Sequence, residues 1–420
     1  MYRNRIILFT LITFISSVAL NSQVDLPKST PEQEGISTER LERLNAKMHE
    51  LVDQGDLAGI QTAILRNGKL IHYDTYGLAD MEDDVPLQEN SIWRIYSMTK
   101  PIVSVGLMTL YEEGRFQLND PVEKYIPEFK NLSVHIGGNE SKPSEGKMKI
   151  IDLLRHSSGL GYGWGEGTYV DSLYNDAAKD WGMTDLSTFI KNLADIPLYF
   201  EPGRGWRYGV STDVIGYLIE VLSGQSLDEF LDERILGPLR MVDTHFEVPS
   251  NKVERFISNY TLQEDGTLHK IDYAPTSRYT KEVTFLSGGG GLVSTSSDYL
   301  RFSQMLLNGG TLDGNRVLSR KTIELMTQDH SENINHHGGP LVLPGGGNTF
   351  GLGFAVVTDL ARTANTGSEG SFGWGGAAGT FFRVDPQENL VYLLMIQLMP
   401  YDYLQARELF QTMVYQSIID

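Results

Sequence analysis

The chain has 420 residues, 40% hydrophobic and 21% charged, an ordinary globular balance long enough for two lobes about a shared core. Its 35 Lys and Arg stand against 54 Asp and Glu, a net charge of −19 that disfavours nucleic acid and anionic membrane surfaces as partners. There is no cysteine, which excludes disulfides, thiolate metal sites and a lipid-modified cysteine.

Residues 1–22 read as a signal peptide outside the fold: Arg3 and Arg5 precede an apolar run from Ile6 to Leu20, with cleavage expected between Ala19 and Gln23. The alternative is an uncleaved anchor helix, for which the run is short. Ser37 then caps an amphipathic helix over 38–54, with Leu41, Leu44, Met48 and Leu51 on one stripe. Asn67-Gly68 joins two apolar runs, Ile60 to Arg66 and Lys69 to Tyr76, into a hairpin. A second helix follows, with Ser97 in its first turn and an apolar face to Leu110, ending at Gly114. Helix, hairpin and helix suggest an antiparallel sheet covered by helices.

Residues 115–285 read as a mainly helical lobe broken by Gly and Pro, with a glycine- and aromatic-rich loop over 161–167, a helix marked by Ile215, Leu218, Ile219 and Leu222 and ended at Gly224, and another near 227–236. Gly288 to Gly291 is a glycine run without the Lys-Ser/Thr of a phosphate loop. A helix over 298–307, a polar loop over 328–349, a strand over 350–357, a hairpin of 380–384 with 390–398, and a closing helix over 403–419 complete the chain. His330, Glu332, His336 and His337 have metal-ligand chemistry. They fall in the polar loop, and no metal or other cofactor is expected.

Three stretches carry chemistry. Ser97 and Lys100 lie three apart on a helix, hence on one face. A serine hydroxyl needs a neighbouring base, and a neutral lysine amine is one. Tyr208, entering a helix after Trp206-Arg207, is a candidate proton carrier. Gly373-Trp374-Gly375-Gly376-Ala377, before an edge-like strand, lets a substrate approach a backbone N–H able to hold an oxyanion.

Taken in order, Tyr96-Ser97-Met98-Thr99-Lys100, Leu153-Leu154-Arg155-His156-Ser157-Ser158-Gly159-Leu160, Trp206-Arg207-Tyr208, Gly291-Leu292-Val293-Ser294-Thr295 with Asp298, and Gly373-Trp374-Gly375-Gly376 resemble the serine β-lactamase-like superfamily, in particular the class C-type, family VIII carboxylesterases. The resemblance covers roughly residues 30–415. It implies an α/β (α+β) β-lactamase/transpeptidase-like fold, with the core from about 30–114 and 286–420 and the lobe at 115–285. It implies Ser97 as acylated nucleophile, Lys100 as its base and Tyr208 as proton shuttle to the leaving group. The N–H groups of Ala377 and Ser97 become the oxyanion hole, beside Trp374, Gly375 and Gly376. His156 to Leu160 matches a structural turn.

Two positions depart from the family's lactamases and peptidases: Val210 stands where an Asn holds a substrate amide, and Trp374 where a cation holds a carboxylate. Valine donates no hydrogen bond and tryptophan pairs no carboxylate. The expected function is therefore an exported, periplasmic or secreted carboxylesterase-like serine hydrolase. Its partner is a small ester or amide, with no nucleic acid and no membrane span in the mature chain. The alternatives are a β-lactamase or D-amino-acid-specific peptidase of the same fold, or a non-catalytic binding scaffold.

Overall fold

The computed structural model describes residues 26–165, 167–182, 184–331, 334–336 and 346–420. The expected leader lies outside them, as do Glu332, His337 and the His336 side chain.

Helix α1 (Thr38–Asp53) is capped by the Ser37 hydroxyl, which accepts from Arg40 N, and buries Leu41, Leu44, Met48 and Leu51. Strands β1 (Gly59–Arg66) and β2 (Lys69–Asp80) follow, then the short β3 (Val85–Pro86). Asn67 and Gly68 are both left-handed, at φ 52° and 75°, as a two-residue hairpin turn demands. Helix α2 (Thr99–Glu112) is buried on every side from Thr99 to Leu110 and packs against α3 (Ser211–Ser223). Helix α4 (Ser296–Leu307) precedes β4 (Asn348–Phe350), β5 (Ala355–Val357), β6 (Phe372–Gly375), β7 (Phe381–Asp385), β8 (Leu390–Met395) and the closing α5 (Ala406–Tyr415).

The two chain ends build one eight-stranded antiparallel sheet in the order β4-β5-β6-β7-β8-β1-β2-β3. Central β8 is buried on both faces. Leu390, Tyr392 and Leu394 pack with residues of α1 and α5, and Val391, Leu393 and Met395 with residues of α2 and α4. No helix among the described residues is long and apolar enough to cross a membrane.

The 115–285 segment is mainly helical and also holds the hairpins Ser133–Gly137 with Glu140–Pro143 and Asn259–Leu262 with Leu268–Asp272. Three expectations need correction. The single strand at 350–357 is two antiparallel strands, because Gly351 N donates to Phe354 O (2.8 Å) and Gly353 turns at φ 94°. The closing helix is shorter than 403–419, starting only after Gln405, which is left-handed at φ 49°. The strand after Ala377 is not an edge strand. Both β6 and β7 lie inside the sheet, and it is only the tip of β6 that is open on one side. Trp374 and Gly375 pair with Phe382 and Phe381 of β7, whereas β5 stops at Gly373.

Candidate active site

Ser97 sits in a 3-10 turn, Tyr96–Met98, that runs directly into α2. Tyr96 has φ 42°, a conformation a bulky side chain adopts only where its surroundings enforce it. Lys100, one helical turn on and 2% exposed, points its Nζ at three acceptors: Gly289 O at 2.6 Å, the Tyr162 hydroxyl at 2.9 Å and Ser97 Oγ at 3.3 Å. An ammonium satisfies all three. A neutral amine keeps two N–H donors for Gly289 O and Tyr162 and turns its lone pair to Ser97, where it can take the hydroxyl proton.

The glycine run holds this arrangement in place. Asp213, in the first turn of α3, accepts from Gly289 N (3.0 Å) and the Ser287 hydroxyl (2.5 Å), so Gly289 O is fixed toward Lys100. A Cβ at Gly289 would come within 2.4 Å of the Asp213 carboxylate, so no side chain is tolerated there. Burial pushes the Asp213 carboxyl up, and the charge of Lys100 opposes the shift.

Tyr208 is brought to the lysine face-on, with Nζ 4.6 Å from its ring centroid. Its hydroxyl accepts from Trp374 Nε1 at 3.3 Å. Trp374 packs against Phe350 (5.2 Å between centroids), and the fully buried His156 lies 4.9 Å from the Tyr208 ring. Burial, aided by the charge of Lys100, drives the His156 imidazole well below its ordinary pKa, so it is neutral packing. His156 itself is left-handed at φ 56°, in the turn the family motif marked.

Sequence reasoning missed Tyr162, Asp213 and the carbonyl of Gly289. Tyr162 lies in the glycine- and aromatic-rich loop, and that loop is clamped. Arg207 donates to Trp164 O (3.0 Å) and Asp171 (3.3 Å), and its guanidinium stacks on Tyr199, whose hydroxyl donates to Asp171 at 2.5 Å. The signal was a tyrosine among glycines, which only the fold carries to the lysine. Burial pushes the Tyr162 phenol far up, with the charge of Asp213 and the neighbouring Tyr208 adding, so it stays protonated.

At the tip of β6, Gly376 lies against the Ser97 turn, where a Cβ would meet Ile95 O at 2.5 Å. The N–H groups of Ala377 and Ser97, both residues half-buried, bond to no described group. Val210 is 1% exposed in the core at the start of α3. No group of three or more His, Asp or Glu among the described residues is placed to hold a metal, and His330 Nε2 bonds Leu325 O at 2.7 Å.

The Beta-lactamase family model matches residues 44–411. An uncharacterised protein of Mycobacterium tuberculosis is 35% identical over 366 residues, 84% of this chain and 89% of that one. Esterase EstB of Burkholderia gladioli is 30% identical over 372 residues, again 84% and 89%. The solved structure of EstCE1, a hydrolase with promiscuous acyltransferase activity, shares the fold with a TM-score of 0.76 at 24% identity, over 90% of this chain and 98% of that one. With that breadth of match in both sequence and fold, the chain belongs to the Beta-lactamase family and is a serine hydrolase of the β-lactamase/transpeptidase-like fold.

Proposed function

We propose that this hydrolase is an exported carboxylesterase acting on short-chain, neutral esters. One observation carries the reading: Lys100 Nζ faces Ser97 Oγ at 3.3 Å while Gly289 O and Tyr162 occupy its other two directions. In the neutral form Lys100 takes the Ser97 proton as Oγ attacks the ester carbonyl. The N–H groups of Ser97 and Ala377 hold the oxyanion. The intermediate collapses as the alcohol leaves with a proton passed through Tyr208, and water then hydrolyses the acyl-serine by the reverse proton route. Esterase EstB among the relatives supports the substrate class.

S97A is expected to abolish ester hydrolysis with the fold intact, and a fluorophosphonate probe to add its mass to the peptide holding Ser97. A label on another serine would sink the assignment. Export is proposed from the charged start and apolar run of residues 3–20. N-terminal sequencing of a periplasmic or secreted fraction tests it, and an intact Met1 in the cytoplasm refutes it.

A further inference from the structure

Arg407, in the first turn of α5, is a half-buried cation with no carboxylate within ion-pair distance among the described residues. Its guanidinium is spent instead on one short turn of backbone. Nη2 donates to Gly376 O (2.5 Å) and Thr380 O (2.7 Å), Nε donates to Gly379 O (3.3 Å), and Nη1 bonds the Tyr401 hydroxyl. Gly375 yields the space, since a Cβ there would lie 2.6 Å from Arg407 Cζ. Gly376 O also accepts from Gly379 N (3.1 Å), and Gly376 N donates to Thr380 O (2.8 Å), which closes the turn.

The carbonyl of Gly376 and the N–H of Ala377 belong to the same peptide unit. Resonance across that unit means that charge drawn toward the oxygen leaves the N–H more positive. A charge-assisted bond at the oxygen therefore strengthens the donor at the nitrogen, and hydrogen bonds linked through one group polarise each other. We propose that Arg407 is a positioning residue for the oxyanion: it fixes the 376–380 turn and polarises the Gly376–Ala377 peptide, so that the Ala377 N–H meets the tetrahedral intermediate as a preorganised donor. The inference rests on the esterase reading above, in which that N–H faces the oxyanion.

The test uses the full chain as wild type, R407A, R407K and S97A, with kcat expressed per serine titrated by a fluorophosphonate so that misfolded protein does not count. R407A is expected to lose about 10–100-fold in kcat, short of the loss from deleting a donor outright, with KM little changed. Affinity for a short alkyl boronic acid, which forms a tetrahedral adduct on the serine, should fall by the same factor. Added guanidinium ion should restore part of kcat to R407A and none to S97A. R407K keeps the charge but not the three-way fork and should fall between R407A and wild type. Wild-type kcat per titrated serine in R407A, or a loss confined to KM with boronate affinity unchanged, overturns the inference while leaving the esterase reading standing. An active S97A overturns both.

Discussion

The Tyr162 hydroxyl stands 2.9 Å from Lys100 Nζ, closer than the 3.3 Å to Ser97 Oγ. The amine is thus oriented from two sides, by a phenol and by the Gly289 carbonyl, and its remaining direction faces the serine. Y162F removes one of the two and lets the amine turn away. The expected result is a kcat lower by about 10–100-fold with KM nearly unchanged. Steady-state kinetics on a p-nitrophenyl ester checks it, and wild-type kcat in Y162F would make Tyr162 a mere packing neighbour.

Much of this arrangement was legible in the sequence because it is local. Ser97 and Lys100 share a face by helical geometry, and Asn67-Gly68 announces its hairpin by needing two left-handed residues. What was not legible depends on segments distant in the chain. Tyr162 reaches Lys100 only because Arg207 and Asp171 clamp a loop that, in sequence, is glycines and aromatics. The glycine run at 288–291 resembled a phosphate loop in composition alone. Its purpose, close approach to Asp213, appears only once α3 is packed beside it. The strand at 350–357 failed for a different reason: its apolar pattern continues across a turn made by two glycines, and periodicity does not register a reversal of direction.

Replacing Lys100 by arginine separates charge from basicity. Arginine retains the cation but stays protonated at any working pH and has no lone pair for the serine proton. The site is also closed around an amine, with the lysine 2% exposed and Gly289 O at 2.6 Å. K100R should lose about a hundredfold or more in kcat/KM. Appreciable ester hydrolysis by that variant would show Lys100 to be only an electrostatic neighbour.

Stability should carry a histidine signature far from the active site. His72 in β2 is buried against Thr62 (Nε2 to Oγ1, 2.8 Å), and burial pushes its pKa down to about 4, partly opposed by the charge of Asp74. The unfolded chain therefore binds the proton first as pH falls. The stability owed to neutral His72 is complete above about 6.5 and is lost progressively between about 6.5 and 4. His245, also lowered to about 4, acts in the same direction, whereas Asp298, raised to about 7 by burial, acts in the opposite one. Comparing wild type with H72Q isolates the first contribution. The stability difference between them should shift by up to about 3 kcal/mol from pH 7 to pH 4, in favour of the variant at the acid end. Parallel pH profiles from denaturant melts would rule the assignment out.

Substrate choice follows from what the site does not offer. A β-lactam brings a side-chain amide and a carboxylate toward the serine, and a site rejects a substrate most strongly when buried polar groups are left unpaired. Val210 gives the amide nothing, being 1% exposed in the core at the head of α3. Trp374 gives the carboxylate nothing, since its one donor is turned to the Tyr208 hydroxyl at 3.3 Å. Two arginines nearby, the buried Arg207 and the half-buried Arg407, are committed elsewhere, Arg207 to Asp171 at 3.3 Å and Arg407 to the carbonyls of the 376–380 turn. Each unpaired polar group costs about 1–3 kcal/mol, so two of them lower turnover by roughly a hundredfold or more. A short-chain ester brings neither group and suffers neither loss. The expected outcome is a kcat/KM for p-nitrophenyl acetate or butyrate at least about a hundredfold above that for a chromogenic cephalosporin. Comparable rates on the two would mean that a cation reaches the substrate carboxylate after all, and would favour a lactamase over the proposed esterase.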